Sequence, residues 1–213
     1  MTSVRSRQRR ALAAGGMVLG FGAVLVAASW TDNVLGFANF QSGSGFGIQS
    51  SVNNGGTWTS NPVSGATNAL SFAPTVGAVV PGSVSYASIQ LRTDKGSSAA
   101  GIALNGATLA GDAALGGALR YRTVKVATLA TPCDAAAFGV PSSTWIVGSS
   151  GAAPLTTSSG PAVFTLPAAT PTVEGAASKV CFEISLPPIP ANWTNAALQN
   201  KQSKPDWAFV GTS

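Results

Sequence analysis

The chain has no histidine and few charged side chains. Its 213 residues include 12 lysines and arginines and 7 aspartates and glutamates. Histidine is the commonest general base and a common metal ligand, so its absence excludes Ser/His and Cys/His nucleophile pairs and the H-E-x-x-H zinc motif. We therefore expect a protein that is not an enzyme and that holds no metal ion or other cofactor.

The scarcity of charge also bears on the partners of the protein. The formal net charge is +5, but four of the basic residues precede the first apolar stretch: Arg5, Arg7, Arg9 and Arg10. Over the rest of the chain, 8 basic residues stand against 7 acidic ones. A chain with this balance offers no basic patch for phosphate groups, so we expect no nucleic-acid partner.

The first thirty residues have the pattern of an export signal. A basic region through Arg10 is followed by an apolar stretch over 11–28 and by small residues before Trp30. This order predicts a signal helix over 1–29, cut between Ser29 and Trp30 by a signal peptidase, with only transient membrane contact. A permanent anchor is the alternative, because the apolar stretch is close to the lower limit for a membrane span. Its glycines and its small-residue end favour cleavage.

Residues 30–213 have the size of a single domain. Hydrophobic residues make up 45% of the sequence, which is enough for a packed core and unlike a disordered chain. We expect this domain to be secreted and to reside outside the cell or on its surface.

Cys133 and Cys181 are the only cysteines of the chain. In an exported protein an even pair predicts a disulfide. A reactive thiol pair is the alternative, but it requires a neighbouring base or a C-x-x-C motif, and the sequence has neither. The pair therefore predicts a structural bridge.

The clearest strand lies around the second cysteine. Val180, Phe182 and Ile184 alternate with Lys179, Cys181 and Glu183, which is a period of two with one apolar face. Cys181 should therefore point away from the Phe182 face, so that the bridge holds an edge or a loop onto this strand. A second strand around Tyr121 loses its apolar phase near Thr123, which indicates a bulge or a bend.

Further segments have strand composition, and turn residues separate them. The additional predicted strands are 37–48, 84–92, 99–104, 143–147, 162–166 and 207–210. The turns include Asn54-Gly55-Gly56, Asp94-Lys95-Gly96 and Asn105-Gly106. Only Asp134 to Phe138 suggests a helical turn. This pattern predicts an all-β protein, an antiparallel β-sandwich.

The remaining polar residues suggest no reaction. The acids are scattered through the sequence: Asp32, Asp94, Asp112, Asp134, Glu174, Glu183 and Asp206. A carboxylate pair assembled by folding is the one catalytic arrangement left open, although isolated acids are typical of turns. The chain has no calcium loop, zinc spacing or P-loop. The run Gly43 to Gly47 resembles a phosphate-binding loop but no helical pattern follows it.

Several motifs resemble the TasA/camelysin family of secreted proteins. The segment 25–49 is similar to the signal-peptide exit and first strand of that family, in which an A-x-F-x-S-G motif follows the cleavage site. Here Ala38, Phe40, Ser42 and Gly43 provide that motif. Pro81-Gly82, followed by a strand and then by 95–97, is similar to a second family motif.

Two further segments resemble the cysteine-containing members of the family that are found in actinobacteria. One is Val180-Cys181-Phe182 with Leu186-Pro187, and the other is the closing run Trp207-Ala208-Phe209. The resemblance implies a jelly-roll-like β-sandwich that is exported and assembles into extracellular matrix fibres. Some members are labelled metallopeptidases, but this chain has no histidine to hold zinc.

Two functions follow as hypotheses. The first is a structural subunit of biofilm-matrix or surface fibres, which associates with its own copies by donation of a β-strand. The candidate donor segment is 30–48, with apolar anchors at Phe37, Phe40, Phe46 and Ile48. In the isolated monomer the same segment could form the first strand of its own sandwich, and the two arrangements are compatible if assembly exchanges the strand.

The second hypothesis is a monomeric secreted module that binds a glycan or a surface partner without catalysis. Trp58, Trp145 and Trp193 would then provide rings that stack on sugars. Tryptophans of a sandwich more often pack in the core or at its rim, which favours the fibre subunit.

Overall fold

The structure is a computed structural model that describes residues 31–35, 46–60, 68–73 and 79–213. For 31–35 it describes the backbone only. The predicted signal peptide 1–29, the cleavage site between Ser29 and Trp30, and the anchors Phe37 and Phe40 lie outside the described residues.

The described chain is mostly β-strand, in antiparallel sheets, as the sequence pattern predicts. One sheet has four strands, in the spatial order β1 (Thr31–Leu35), β12 (Ala208–Thr212), β4 (Ala100–Leu104) and β9 (Phe164–Leu166). A six-stranded sheet contains β2 (Ile48–Ser51), β3 (Val84–Thr93), β10 (Ser178–Ser185), β6 (Arg120–Lys125) and β7 (Thr144–Val147), and β8 (Ala153–Pro154) also pairs with β6. A small third sheet pairs β5 (Thr108–Gly111) with β11 (Ser203–Asp206).

The helical segments of the described ranges are short. They are the α-helices Ala113–Ala118 and Pro190–Trp193 and the 3₁₀-helices Ala135–Phe138 and Ala196–Leu198. The turn predicted over 134–138 is therefore confirmed, and Asp134 caps it by accepting a hydrogen bond from the backbone of Ala136. In the part of the chain that the structure describes, no helix has the length and apolarity needed to cross a membrane.

The main hydrophobic core contains side chains from both large sheets. Tyr121 and Phe182 of the six-stranded sheet and Ile102 of the four-stranded sheet are all fully buried. The Trp207 ring packs on Phe182, with 5.2 Å between ring centroids, and on Tyr121, with 5.4 Å. Burial of these apolar faces stabilises the contact between the two sheets.

Strands β6 and β10 follow the predicted pattern closely. The register of β6 against β7 shifts between Thr123 and Val124, where the sequence loses its apolar phase. In β10, however, every residue from Ser178 to Glu183 is buried. Both faces of this strand are covered, although the sequence indicates one apolar and one polar face.

The strand predicted over 37–48 lies mostly outside the described residues. Of its described part, 46–48, Ile48 belongs to a strand, as the first residue of β2. Strand β1 precedes it in sequence and belongs to the other large sheet.

Candidate functional site

Strand β1 lies at the edge of the four-stranded sheet. Among the described strands it pairs with β12 alone, antiparallel, in a register that runs from Thr31 opposite Thr212 to Leu35 opposite Ala208. In sequence, β1 directly follows the predicted cleavage site at Trp30. An edge strand that is held by one ladder of hydrogen bonds can leave its sheet without breaking a second ladder.

The neighbour of β1 is fixed independently of it. Strand β12 also pairs with β4, from Phe209 opposite Leu104 to Thr212 opposite Gly101. Phe209 is 3% exposed and packs edge-on against Phe182 of the opposite sheet, with 6.1 Å between ring centroids. If β1 left, β12 would keep its place in the core and present a row of unpaired N–H and C=O groups.

Two of the predicted anchor residues belong to the opposite sheet. Ile48 is 2% exposed in β2 and lies opposite Thr93 of β3. Phe46 is half-buried and packs against the same core, and the backbone N–H of Gly47 donates to Ser97 Oγ at 2.9 Å. These contacts hold 46–48 in the chain's own core. Among the described residues, the segment that could be exchanged is β1.

The disulfide lies on the outer face of the six-stranded sheet. Cys133 and Cys181 are bonded, with 5.5 Å between their Cα atoms. Cys181 is fully buried in a second, smaller hydrophobic cluster with Val124, Val126 and Phe138. The bridge therefore holds the loop that contains Cys133 and the 3₁₀-helix Ala135–Phe138 against β10, away from the main core.

The same covered face contains charged side chains. Glu183 is 5% exposed and accepts hydrogen bonds from both Nε and a terminal nitrogen of Arg122. The Arg122 guanidinium lies 5.0 Å from the centroid of the Phe138 ring. The hydrogen bonds to Glu183 raise the pKa of Arg122, and burial, followed by the Glu183 charge, raises the pKa of Tyr86. In this ion pair both carboxylate oxygens of Glu183 accept hydrogen bonds from Arg122, which fits a structural role.

Lys179 is buried on the outer face as well. Its Nζ donates to the backbone carbonyl of Thr131 at 2.8 Å and to that of Leu129 at 3.4 Å. The ammonium thus ties the loop before Cys133 to strand β10. A buried lysine that is satisfied by two carbonyl groups acts as a support for the loop.

Most other acids have local structural roles. Asp94 accepts hydrogen bonds from the backbone N–H of Lys95 and from Gln49, as expected for a turn residue. Asp112 caps the helix Ala113–Ala118, and Glu174 lies 3.5 Å from Arg92. Within the described ranges, no group of three or more histidine, cysteine, aspartate or glutamate residues lies close enough to hold a metal ion.

The three tryptophans considered for glycan binding lie apart. Trp58 stacks with Arg92 at 4.2 Å, and Trp145 is half-buried against Phe138, on β7 at the opposite edge of the six-stranded sheet. Trp193 is 59% exposed. The structure does not join these rings into one platform.

Comparison of the chain with protein-family models, curated proteins and solved structures found no match. The resemblance to the TasA/camelysin family therefore remains a prediction from short motifs.

Sequence reasoning missed β1 as a separate strand. Its sequence, Thr-Asp-Asn-Val-Leu, contains Asp32 and Asn33, which are depleted in strands. The one feature of the sequence that could have indicated β1 is its position directly after the predicted cleavage site. Sequence reasoning predicted that the bridge holds an edge or a loop onto β10, as the packing around Cys181 confirms, but it did not predict that this loop buries Lys179 and Glu183.

Proposed function

We propose that the mature protein is a secreted structural subunit of extracellular fibres, in a biofilm matrix or on a cell surface, that assembles by exchange of β1. The observation that supports this function most is the position of β1, an edge strand near the proposed mature N-terminus that pairs with β12 alone among the described strands. In the fibre, β1 of one copy occupies the edge of β12 in the next copy.

Exchange of β1 between copies costs little in hydrogen bonding. Strand β1 forms the same antiparallel ladder in either location, so exchange replaces each hydrogen bond by an equivalent one. Because β12 stays fixed by β4 and by the buried Phe209, the acceptor edge needs no refolding. Identical elements that are exchanged between copies give open fibres when the contact runs head to tail and does not close.

Two further features support an extracellular role. A structural disulfide is typical of proteins that fold in an oxidising compartment, and the Cys133–Cys181 bridge is compatible with that location. The motif resemblance and the two packed antiparallel sheets favour a jelly-roll-like sandwich, which we propose as the fold of the subunit.

Electron microscopy of purified residues 30–213 at rising concentration tests the function. Three variants sharpen the test: deletion of 30–35, Val34→Pro in the middle of β1, and Thr165→Lys on β9. The deletion removes β1, and proline is disfavoured in the middle of a paired strand, so both variants should give soluble, folded protein without fibres. Thr165 is exposed on the opposite edge of the same sheet, so its lysine should leave assembly intact.

The opposite pattern would contradict the proposal. If the deletion variant polymerises like the full mature form, exchange of β1 is wrong. If Thr165→Lys alone blocks fibres, the contact is an edge-to-edge pairing at β9. Far-ultraviolet circular dichroism of each variant shows that the sandwich is folded before assembly is scored.

A monomeric module that binds a glycan or a surface partner is the second candidate. The observation that favours it is the exposure of Trp193, 59%, on the short helix Pro190–Trp193. A protein that stays monomeric and loses glycan binding with Trp193→Ala would support this candidate over the fibre subunit.

A further inference from the structure

A cavity of about 320 Å³ lies between the two large sheets, beside β11. Its buried walls come from both sheets, with Phe182 and Ile89 from one and Phe209 from the other. Trp207 and the half-buried Leu70 and Phe72 complete an apolar lining. The volume is at the lower end of the range for small-molecule sites, so it suits a ligand of about the size of one amino acid.

Two opposite charges line the same cavity. Lys204 and Asp206 are two residues apart on β11, and alternate residues of a strand point to the same face. Among the described residues, no ion pair within 4.0 Å neutralises either of them. Burial raises the pKa of Asp206, and the nearby positive charge of Lys204 opposes that shift. The cavity therefore combines a carboxylate and an ammonium group with an apolar interior.

A third polar group is held in a fixed orientation. Asn68 lines the cavity, and its Nδ2 donates to Ser50 Oγ and to Thr59 Oγ1, each at 2.8 Å. These bonds occupy the amide donors and leave Asn68 Oδ1 as an acceptor with no partner in the described part of the chain. A ligand with an N–H donor group could use this oxygen.

We propose that this cavity binds a free α-amino acid with a large apolar side chain. The side chain enters between Phe182, Phe209 and Leu70, the ammonium group binds Asp206, and the carboxylate group binds Lys204. This site is separate from the β1 edge, so it does not depend on fibre assembly.

Other small ligands fit the same groups less well. A fatty acid would bring its carboxylate close to Asp206, and a simple arylalkylamine would bring its ammonium close to Lys204. In either case one like-charge contact opposes binding. Only a zwitterionic head group gives both β11 charges a partner while the apolar part fills the cavity.

Isothermal titration of mature protein with L-tryptophan tests the site, with tryptamine and indole-3-propionate as matched probes that lack one charge each. We expect saturable one-to-one binding of L-tryptophan and about tenfold weaker binding of both probes, as for the loss of one charge-assisted contact. Asp206→Asn and Lys204→Gln should each raise Kd for L-tryptophan about tenfold.

Two further variants separate binding from folding. Leu70→Trp fills the cavity from its half-buried wall and should abolish binding, and its melting curve shows that it is folded. Lys125→Gln on β6 removes a positive charge that does not line the cavity, so Kd should stay unchanged.

Three results would overturn the proposal. One is a titration that shows no saturable binding of L-tryptophan up to about 10 mM, because a Kd above that concentration is too weak for ordinary small-molecule recognition. Another is binding that Asp206→Asn and Lys204→Gln leave unchanged. The third is tryptamine binding as tightly as L-tryptophan, because the carboxylate would then contribute nothing.

Discussion

At the residue scale, the ion pair of Glu183 and Arg122 shows how charge is placed in this protein. The chain has few charged side chains, yet Glu183 is nearly fully buried, in the middle of the six-stranded sheet. A buried pair is costly to break because the remaining charge loses its partner. The outer face of β10 therefore depends on both members of the pair.

Glu183→Gln should lower the free energy of unfolding by about 3 kcal/mol, because Arg122 would keep its charge without a counterion. Urea unfolding at neutral pH measures the effect. Glu174→Gln is the matched control, since Glu174 forms a more exposed ion pair with Arg92 and should leave the midpoint almost unchanged. Equal urea midpoints for the two variants would show that the buried pair stabilises the fold no more than the exposed pair does.

Asp112 gives a pH-dependent contribution at the same scale. The backbone N–H of Leu115 donates to its carboxylate at 2.9 Å, and this bond lowers the pKa of Asp112. A lowered folded pKa means that the contribution is present above the ordinary carboxyl pKa of about 3.9 and is lost as the pH falls through the folded pKa.

Asp112→Ala should therefore lower Tm by about 3 °C at pH 7, where the cap of the helix is charged. The difference from the wild-type protein should shrink as the pH is lowered below the ordinary carboxyl range. Calorimetry at pH 7 and at stepwise lower pH measures it. A difference that stays constant over this range would show that the carboxylate charge plays no part.

At the scale of elements, the disulfide and Lys179 hold one loop over β10. The bridge closes a separation of 48 residues, which corresponds to about 4 kcal/mol in the chain-entropy model. No described side chain of the four-stranded sheet belongs to this covered cluster. The loop and the sheet should therefore respond differently when the bridge is removed.

The double variant Cys133→Ala, Cys181→Ala should lose about 4 kcal/mol of unfolding free energy. Hydrogen exchange should rise first at the 3₁₀-helix Ala135–Phe138, while β4 and β12 keep their protection. Exchange that rises equally throughout the described strands would contradict a local role for the bridge.

The same elements show how far a sequence determines this fold. The strands β3, β4, β6 and β10 follow from alternation and turn residues, and the register shift of β6 follows from its lost apolar phase. The sequence pattern places Lys179 and Glu183 on a polar face, but a loop more than forty residues away in sequence covers them. Contacts of this range leave no mark on local periodicity.

The candidate site was predictable only in part. The sequence indicated the N-terminal segment and its place after the predicted cleavage site, but not the division between β1 and β2. Thr31–Leu35 pairs with the last strand of the chain, and the apolar character of Phe46 and Ile48 serves the chain's own core. Such a long-range pairing depends on the whole fold, so the polar sequence of β1 could not reveal it.

At the scale of the whole molecule, fibre assembly by strand exchange requires that the β1 paired with a given β12 comes from another copy. In the monomer the two strands belong to one chain, with Asn33 opposite Val210. In a fibre built by exchange, the same register joins two copies. A probe at these two positions can therefore distinguish the arrangements directly.

The most direct measurement mixes Asn33→Cys protein with Val210→Cys protein, each of which contains one half of that register pair. Fibres are grown, oxidised and analysed by non-reducing peptide mapping. Strand exchange predicts a disulfide between position 33 of one copy and position 210 of another, formed in fibres and not in dilute monomer. Fibres that form without this crosslink would contradict strand exchange.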